Sequence, residues 1–270
     1  MSIFGAIILG IIQGLTEFLP VSSSGHLAVA QHFLPGFHQP GVLFDIILHL
    51  GTLLAVLIYF RSEVKLLLRG LTPGESGAKG RRLILMLVVG TIPAVLVGLT
   101  LGPTIERSFT QLAVVGVGLL VTGGLLLLSK RLTRDEERQG RNLDEVSVPD
   151  AVWVGLLQSA ALVPGISRSG STIVGGLARG FSRETAARFS FLLSIPAIIG
   201  ATVYEIPKAH LLSDDAIASY VAGFFMAFAV GYVAIVIVLR CLAHRKFHVF
   251  GYYCLAVGGL ILGYVSSNLS

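Results

Sequence analysis

The chain runs repeatedly through stretches of about 18–20 residues almost without a charge, a length and character that suit a membrane-spanning helix. Such stretches occupy 42–60, 83–101, 112–129, 186–204, 216–239 and 248–266, parted by short charged segments. With 54% hydrophobic and 13% charged residues, the chain departs from the roughly 45–50% and 25% of soluble domains. In hydrocarbon every backbone polar group must be satisfied within the span, and a helix does this unaided. The expectation is an all-α integral membrane protein with a single membrane domain over 1–270. The first apolar run has no basic stretch ahead of it and carries Glu17, so it is not expected to be a cleaved signal peptide. Cys241 and Cys254 have no motif spacing and are expected to be packing residues.

The net charge of +5 could suggest a nucleic-acid partner, but its distribution argues for none. Threading the six spans, with 13–35 and 151–180 each entering and leaving on one side, sorts the 20 basic residues. One face receives 17 of them and the other only Arg107 and Lys208, with Arg168 left over. By the positive-inside rule the rich face is cytoplasmic. Both termini and the mouth of 13–35 are then expected on the far, non-cytoplasmic side. The run RLTRDEERQGRNLDE at 131–145 reads as a solvated cytoplasmic loop, and Glu205, Lys208, Asp214 and Asp215 read as loop charges.

Two segments break the apolar rule. GIIQGLTEFLPVSSSG at 10–25 aligns without a gap on GLLQSAALVPGISRSG at 155–170, an offset of 145. Gly10, Gln13, Ser22, Ser24 and Gly25 meet Gly155, Gln158, Ser167, Ser169 and Gly170, and Phe44 meets Phe189 at the same offset. Three spans separate the copies, so the second is upside down relative to the first. The expected architecture is two inverted-topology repeats, each a re-entrant helix–loop–helix plus three spans. Repeat one covers about 1–130, a cytoplasmic loop 131–150, and repeat two about 151–270. Pro20 and Pro164-Gly165 supply the breaks. An ordinary kinked helix is the plainer reading of either segment.

The broken segments carry chemistry. Arg168 stands at membrane depth, where an arginine costs roughly 2.5–3.5 kcal/mol on insertion scales. Its planar fork suits phosphate oxygens. Ser167, Ser169, Ser171 and Thr172 hydroxyls, the Gly165 and Gly170 backbone and a restarting helix surround it, and all can donate to an anion. Pairing with Glu17 is the structural alternative. In the first segment Gln13 and Glu17 are spaced i, i+4 and share one helix face, so their oxygens could help to hold a hard divalent cation with phosphate and water. Ser22, Ser23 and Ser24 offer nucleophilic hydroxyls, with His26 nearby as base or acid. Asp45 and His49 either line the same cavity or sit at the interface.

QGLTEFLPVSSSGH at 13–26 and PGISRSGST at 164–172 together resemble the undecaprenyl-diphosphate phosphatase family of bacteria, the bacitracin-resistance type, over essentially the whole chain. The resemblance implies removal of the terminal phosphate of a C55 isoprenoid diphosphate, which regenerates the monophosphate carrier for cell-wall polymers. It implies a periplasm-facing site, a divalent cation (Mg²⁺ or Ca²⁺) and a polyprenyl diphosphate lipid partner, and it leaves room for a homodimer. Carried over by motif, Glu17 is the essential carboxylate, Arg168 the diphosphate clamp, Ser23 the nucleophile and His26 its activator. Ser22, Ser24, Ser167, Ser169, Gly170 and Thr172 would bind phosphate, and Glu17 with Gln13 the metal. Gln13 stands where many relatives have glutamate, which weakens a two-carboxylate metal site. Attack by a cation-activated water stays open beside the phosphoserine route. A lipid flippase or anion transporter is the rival built on the same repeats. A type-2 phosphatidate phosphatase would need a histidine soon after the Ser-Arg pair, and the residues after Arg168 contain none.

Overall fold

The computed structural model describes residues 2–33, 42–132, 140–208 and 217–268. Asp214, Asp215 and the middle of the 131–145 run lie outside them. The helices are α1 (Ile3–Phe18), α2 (Ser23–Phe33), α3 (Val42–Tyr59), α4 (Arg61–Gly70), α5 (Ala78–Ser108), α6 (Leu112–Leu132), α7 (Val148–Ala160), α8 (Arg168–Ala178), α9 (Arg183–Glu205), α10 (Ile217–Ala243) and α11 (Val249–Ser267). Five are long and apolar enough to cross a membrane, or six with α3 and α4 counted as one span bent by 87°. The six stretches expected to span therefore correspond to α3, α5, α6, α9, α10 and α11, and the protein is an all-helical integral membrane protein.

Boundaries differ from the sequence reading at two places. The first polar segment, expected over 13–35, belongs to a helix that already starts at Ile3, capped by the Ser2 hydroxyl accepting from Gly5 N–H. No signal in 3–12 marks a boundary, so the apolar run and the Gln13/Glu17 turn form one element. The second difference is α5, which runs as 31 residues through Pro93 and Pro103, well beyond the apolar stretch that announces it.

The two expected breaks are present. α1 stops at Phe18, and Leu19 turns extended (φ −59°, ψ 140°) because Pro20 disfavours the helical state before it. α7 stops at Ala160, and Gly165 takes φ +91°, a conformation that favours glycine. A Cβ there would also meet the Val115 carbonyl at 2.2 Å, so this turn is pressed against α6.

Small residues let the broken pairs dock. α1 crosses α10 so closely that a Cβ on Gly14 would meet the Ala227 carbonyl at 2.8 Å, and α7 crosses α5 with Gly155 at 2.4 Å from the Gly90 carbonyl by the same measure. Such close backbone approach drives helix association in lipid. Between these crossings lie Phe18, Phe60 and Phe191, with the Phe18 and Phe191 rings edge-to-face at 5.5 Å. Cys254 is buried in this core.

One expectation is corrected at the end of the 131–145 run. Arg141 is not a solvated loop charge. Its backbone pairs with the chain at 180–182 through Arg141 N–H to Gly180 O (2.9 Å) and Ser182 N–H to Arg141 O (3.1 Å). Its side chain reaches the buried Asp150 carboxylate (2.8 Å), which Arg179 also contacts at 2.7 Å. A fully desolvated carboxylate requires such partners, and this clamp ties the start of α7 to the end of α8.

Candidate active site

Gln13 and Glu17 lie one turn apart on the buried face of α1, and the Glu17 carboxylate is the centre of the polar set. One oxygen, Oε1, pairs with Nη2 of Arg168 from the other half of the chain. The other, Oε2, accepts from Ser23 Oγ at 2.7 Å and from Gln13 Nε2 at 3.1 Å. His49 Nε2 stands 3.7 Å from the same oxygen. Arg168 also donates through Nη1 to the Ser190 carbonyl at 3.3 Å. The two broken pairs thus meet at one buried ion pair, as the sequence alternative for Arg168 anticipated.

The helix starts that present these groups are built alike. Ser22 Oγ accepts from Gly25 N–H at 3.3 Å and lies 3.2 Å from Ser24 Oγ. Ser167 Oγ accepts from Gly170 N–H at 3.1 Å and lies 3.2 Å from Ser169 Oγ. Both are N-caps that satisfy an otherwise orphaned helix donor. Ser169 Oγ also donates to the Leu19 carbonyl at 3.2 Å, which ties one break to the other.

Above the ion pair opens a cavity of about 770 Å³ lined by Glu17, Ser22, Ser23, Ser24, Ser167 and Arg168. Leu27, Leu112, Leu162, Ile166 and Ile198 form greasy walls, and Asp45, His49, Glu106 and Glu205 also line it. Asp45 and His49 are therefore cavity residues. Glu205 is too, and its assignment as a mere loop charge is corrected.

Three expected phosphate ligands, Ser169, Gly170 and Thr172, are not among the residues that line the cavity. The Gly170 N–H is spent on its cap, and Ser169 bonds Leu19 and Ser167, so neither lines the cavity. Thr172 bonds the Arg168 carbonyl (2.7 Å) and Ser190 Oγ (2.6 Å) inside the α8–α9 contact. These residues hold the helix start that carries Arg168. The expected Ser23–His26 pair is also absent. Ser23 opens α2 and turns back onto α1, whereas the His26 ring folds onto the Ser22 carbonyl (Nδ1, 2.8 Å) and meets Tyr253 (Nε2, 2.8 Å).

Some contributors escaped the sequence reading. Thr122 Oγ1 donates to the Gly165 carbonyl at 2.9 Å and accepts from Ser167 N–H at 2.9 Å, which pins the second turn. A lone threonine in GLLVTGGLLLL gives no signal of this, and Glu106 near the end of α5 gives none either.

Among the described residues no group of three or more His, Cys, Asp or Glu side chains could hold a metal ion. Gln13 Oε1 is nevertheless buried without a hydrogen-bond partner, on the side chain that bonds Glu17. Gln13 does not line the cavity, however, and turns its Nε2 to Glu17, so of the expected metal pair only the Glu17 carboxylate reaches the space where phosphate and water could complete a cation's shell.

The family model for bacitracin resistance protein BacA matches residues 6–260. An undecaprenyl-diphosphatase of Syntrophotalea carbinolica is 46% identical over 96% of this chain and 98% of its own length. Proteins of the same name from Desulfosudis oleivorans and Carboxydothermus hydrogenoformans are 44% and 42% identical, over 95% and 97% of this chain and 96% and 97% of theirs. With the match running through nearly every described helix, the chain belongs to the bacitracin resistance protein BacA family.

Proposed function

We propose that the chain hydrolyses undecaprenyl diphosphate to undecaprenyl phosphate and inorganic phosphate, so returning a lipid carrier to cell-wall synthesis. The observation that carries this reading is the Arg168–Glu17–Ser23 set at the base of a cavity with greasy walls. A hydroxyl held by a carboxylate beside a guanidinium is equipment for phosphoryl transfer, and a pure transporter would have no use for it.

Ser23 Oγ attacks the terminal phosphorus while Glu17 Oε2, already its acceptor, takes the proton. The bond from that phosphorus to the bridging oxygen breaks, and undecaprenyl phosphate departs. Glu17 passes its proton to the departing phosphate. Water then attacks the phosphoserine, Glu17 takes a proton from that water and returns it to Ser23 Oγ, and phosphate leaves. Arg168 exchanges its contact with Glu17 for the diphosphate oxygens, where negative charge grows in the transition state. Ser22, Ser24 and Ser167 add hydroxyl donors. Glu17, with phosphate oxygens and water, would hold Mg²⁺ or Ca²⁺, which would neutralise phosphate charge.

The two halves are proposed to be inverted repeats within one membrane domain. The exchanged packing of α1 on α10 and α7 on α5 and the paired serine caps support this. At about 1.5 Å per residue, α1 with its 16 residues and α7 with its 13 are too short for a core of about 30 Å, which favours re-entrant elements. The cavity is lined by Glu106 and Glu205, at the ends of α5 and α9 remote from the basic segments. That supports a cavity and termini facing the periplasm.

The test is phosphate release from a long-chain isoprenoid diphosphate by the detergent-purified protein. Glu17→Ala, Ser23→Ala and Arg168→Ala are each expected to lose at least about hundredfold, with Lys79→Ala as an active control. EDTA is expected to abolish release, and added Mg²⁺ or Ca²⁺ to restore it. Full activity in the Glu17 and Arg168 variants would sink the site.

A further inference from the structure

Beside the cavity, behind the serine turn, stands a pair of side chains that the mechanism leaves without a task. Ser22 has φ +69°, a left-handed backbone uncommon outside glycine, and it persists only where its surroundings hold it. Its carbonyl accepts from the His26 backbone N–H at 3.2 Å and from His26 Nδ1 at 2.8 Å. A carbonyl oxygen only accepts, so the ring proton lies on Nδ1. Nε2 of the neutral ring is then an acceptor, and the Tyr253 hydroxyl donates to it at 2.8 Å. The two rings stack at 5.7 Å and 11°. The next residue of α11, Cys254, donates its thiol to the Pro20 carbonyl at 3.6 Å. Successive residues of α11 thus hold both flanks of the turn that leads into Ser23.

We propose that Tyr253 and His26 form a brace for the nucleophile. The Tyr253 hydroxyl fixes the tautomer and plane of the imidazole, and Nδ1–H locks the Ser22 turn so that Ser23 Oγ stays aimed at Glu17. Both are positioning residues. His26 does not take the Ser23 proton, because both ring nitrogens are engaged elsewhere and Glu17 already holds that hydroxyl. The titratable groups nearest the ring on α11 are Tyr253 and, behind it, Cys254. The proposal rests on the assignment of Ser23 and Glu17 made above.

Asparagine puts its amide nitrogen where Nδ1 lies, and glutamine puts one nearer Nε2, so the two replacements separate the functions. In the phosphate-release assay, His26→Asn is expected to stay within about tenfold of wild-type kcat, and Tyr253→Phe to lose up to about tenfold with KM unchanged. His26→Gln, which frees the Ser22 turn, is expected to lose about hundredfold. The limbs of the kcat–pH profile should fall at the same pH in wild type, His26→Asn and Tyr253→Phe. The brace is overturned if His26→Asn is as inactive as His26→Ala while melting like wild type in detergent. A pH limb missing from His26→Asn, or a Tyr253→Phe variant with wild-type kcat, overturns it equally. Glu17→Gln, run alongside, separates the two levels. Its inactivity leaves the site reading standing whatever the brace variants do, and its full activity would remove that reading and the brace with it.

Discussion

Arg168 and Glu17 meet from 151 residues apart with side chains only 16% and 6% exposed. Removing one partner of such a pair leaves a buried charge uncompensated, at about 3–5 kcal/mol. Glu17→Ala is therefore expected to lower the melting temperature in detergent, and Glu17→Ala with Arg168→Ala to recover part of the loss. Both proteins should be inactive, so stability and turnover would come apart. A double variant no more stable than the single one would show that the pair contributes little to folding. At this scale the polar residues were legible because apolar spans make each one conspicuous. Their partners were not. Nothing in SSSGH tells that Ser23 turns to Glu17 while His26 turns to Ser22, since both directions start from the same helix turn. The repeat offers an irony here, because at its offset of 145 the proposed nucleophile Ser23 corresponds to Arg168. One position thus carries opposite chemistry in the two halves.

The second broken element depends on a single glycine and a single carboxylate. Gly165 combines φ +91° with a carbonyl 2.2 Å from where a Cβ would sit. Gly165→Ala is expected to cost more than about 2 kcal/mol and to displace Ser167 and Arg168; thermal melts and phosphate release check both. Asp150 holds Arg141 and Arg179 where the ends of α7 and α8 meet. Asp150→Asn is expected to cost about 1–3 kcal/mol, moderated because both guanidinium groups keep contact with water. An unchanged melting temperature would refute that clamp. The breaks at Pro20 and Pro164-Gly165 were readable from backbone chemistry, as were the spans from their apolar length. The extents of α1 and α5 were not, because helix continuity through a polar turn or a proline is decided by neighbouring helices.

Across the whole molecule, charge asymmetry makes a claim about orientation. With Cys241 and Cys254 replaced by serine, a cysteine at Lys79 is expected to react with a membrane-impermeant thiol reagent only from the cytoplasmic side. One at Arg107 should react only from the periplasmic side. Reversed labelling would invert the proposed topology. The length of α5 adds a demand that no single residue makes. Its 31 residues span about 46 Å at 1.5 Å per residue, against a hydrocarbon core of about 30 Å. The surplus must be tilted away or left standing proud of the lipid. Because Glu106, near its far end, lines the cavity, any surplus standing proud at that end would raise the entrance above the plane of the lipid phosphates. Bilayer thickness would then work as a vertical adjustment between enzyme and substrate. Turnover in vesicles of graded acyl length is expected to pass through a maximum where the two levels coincide.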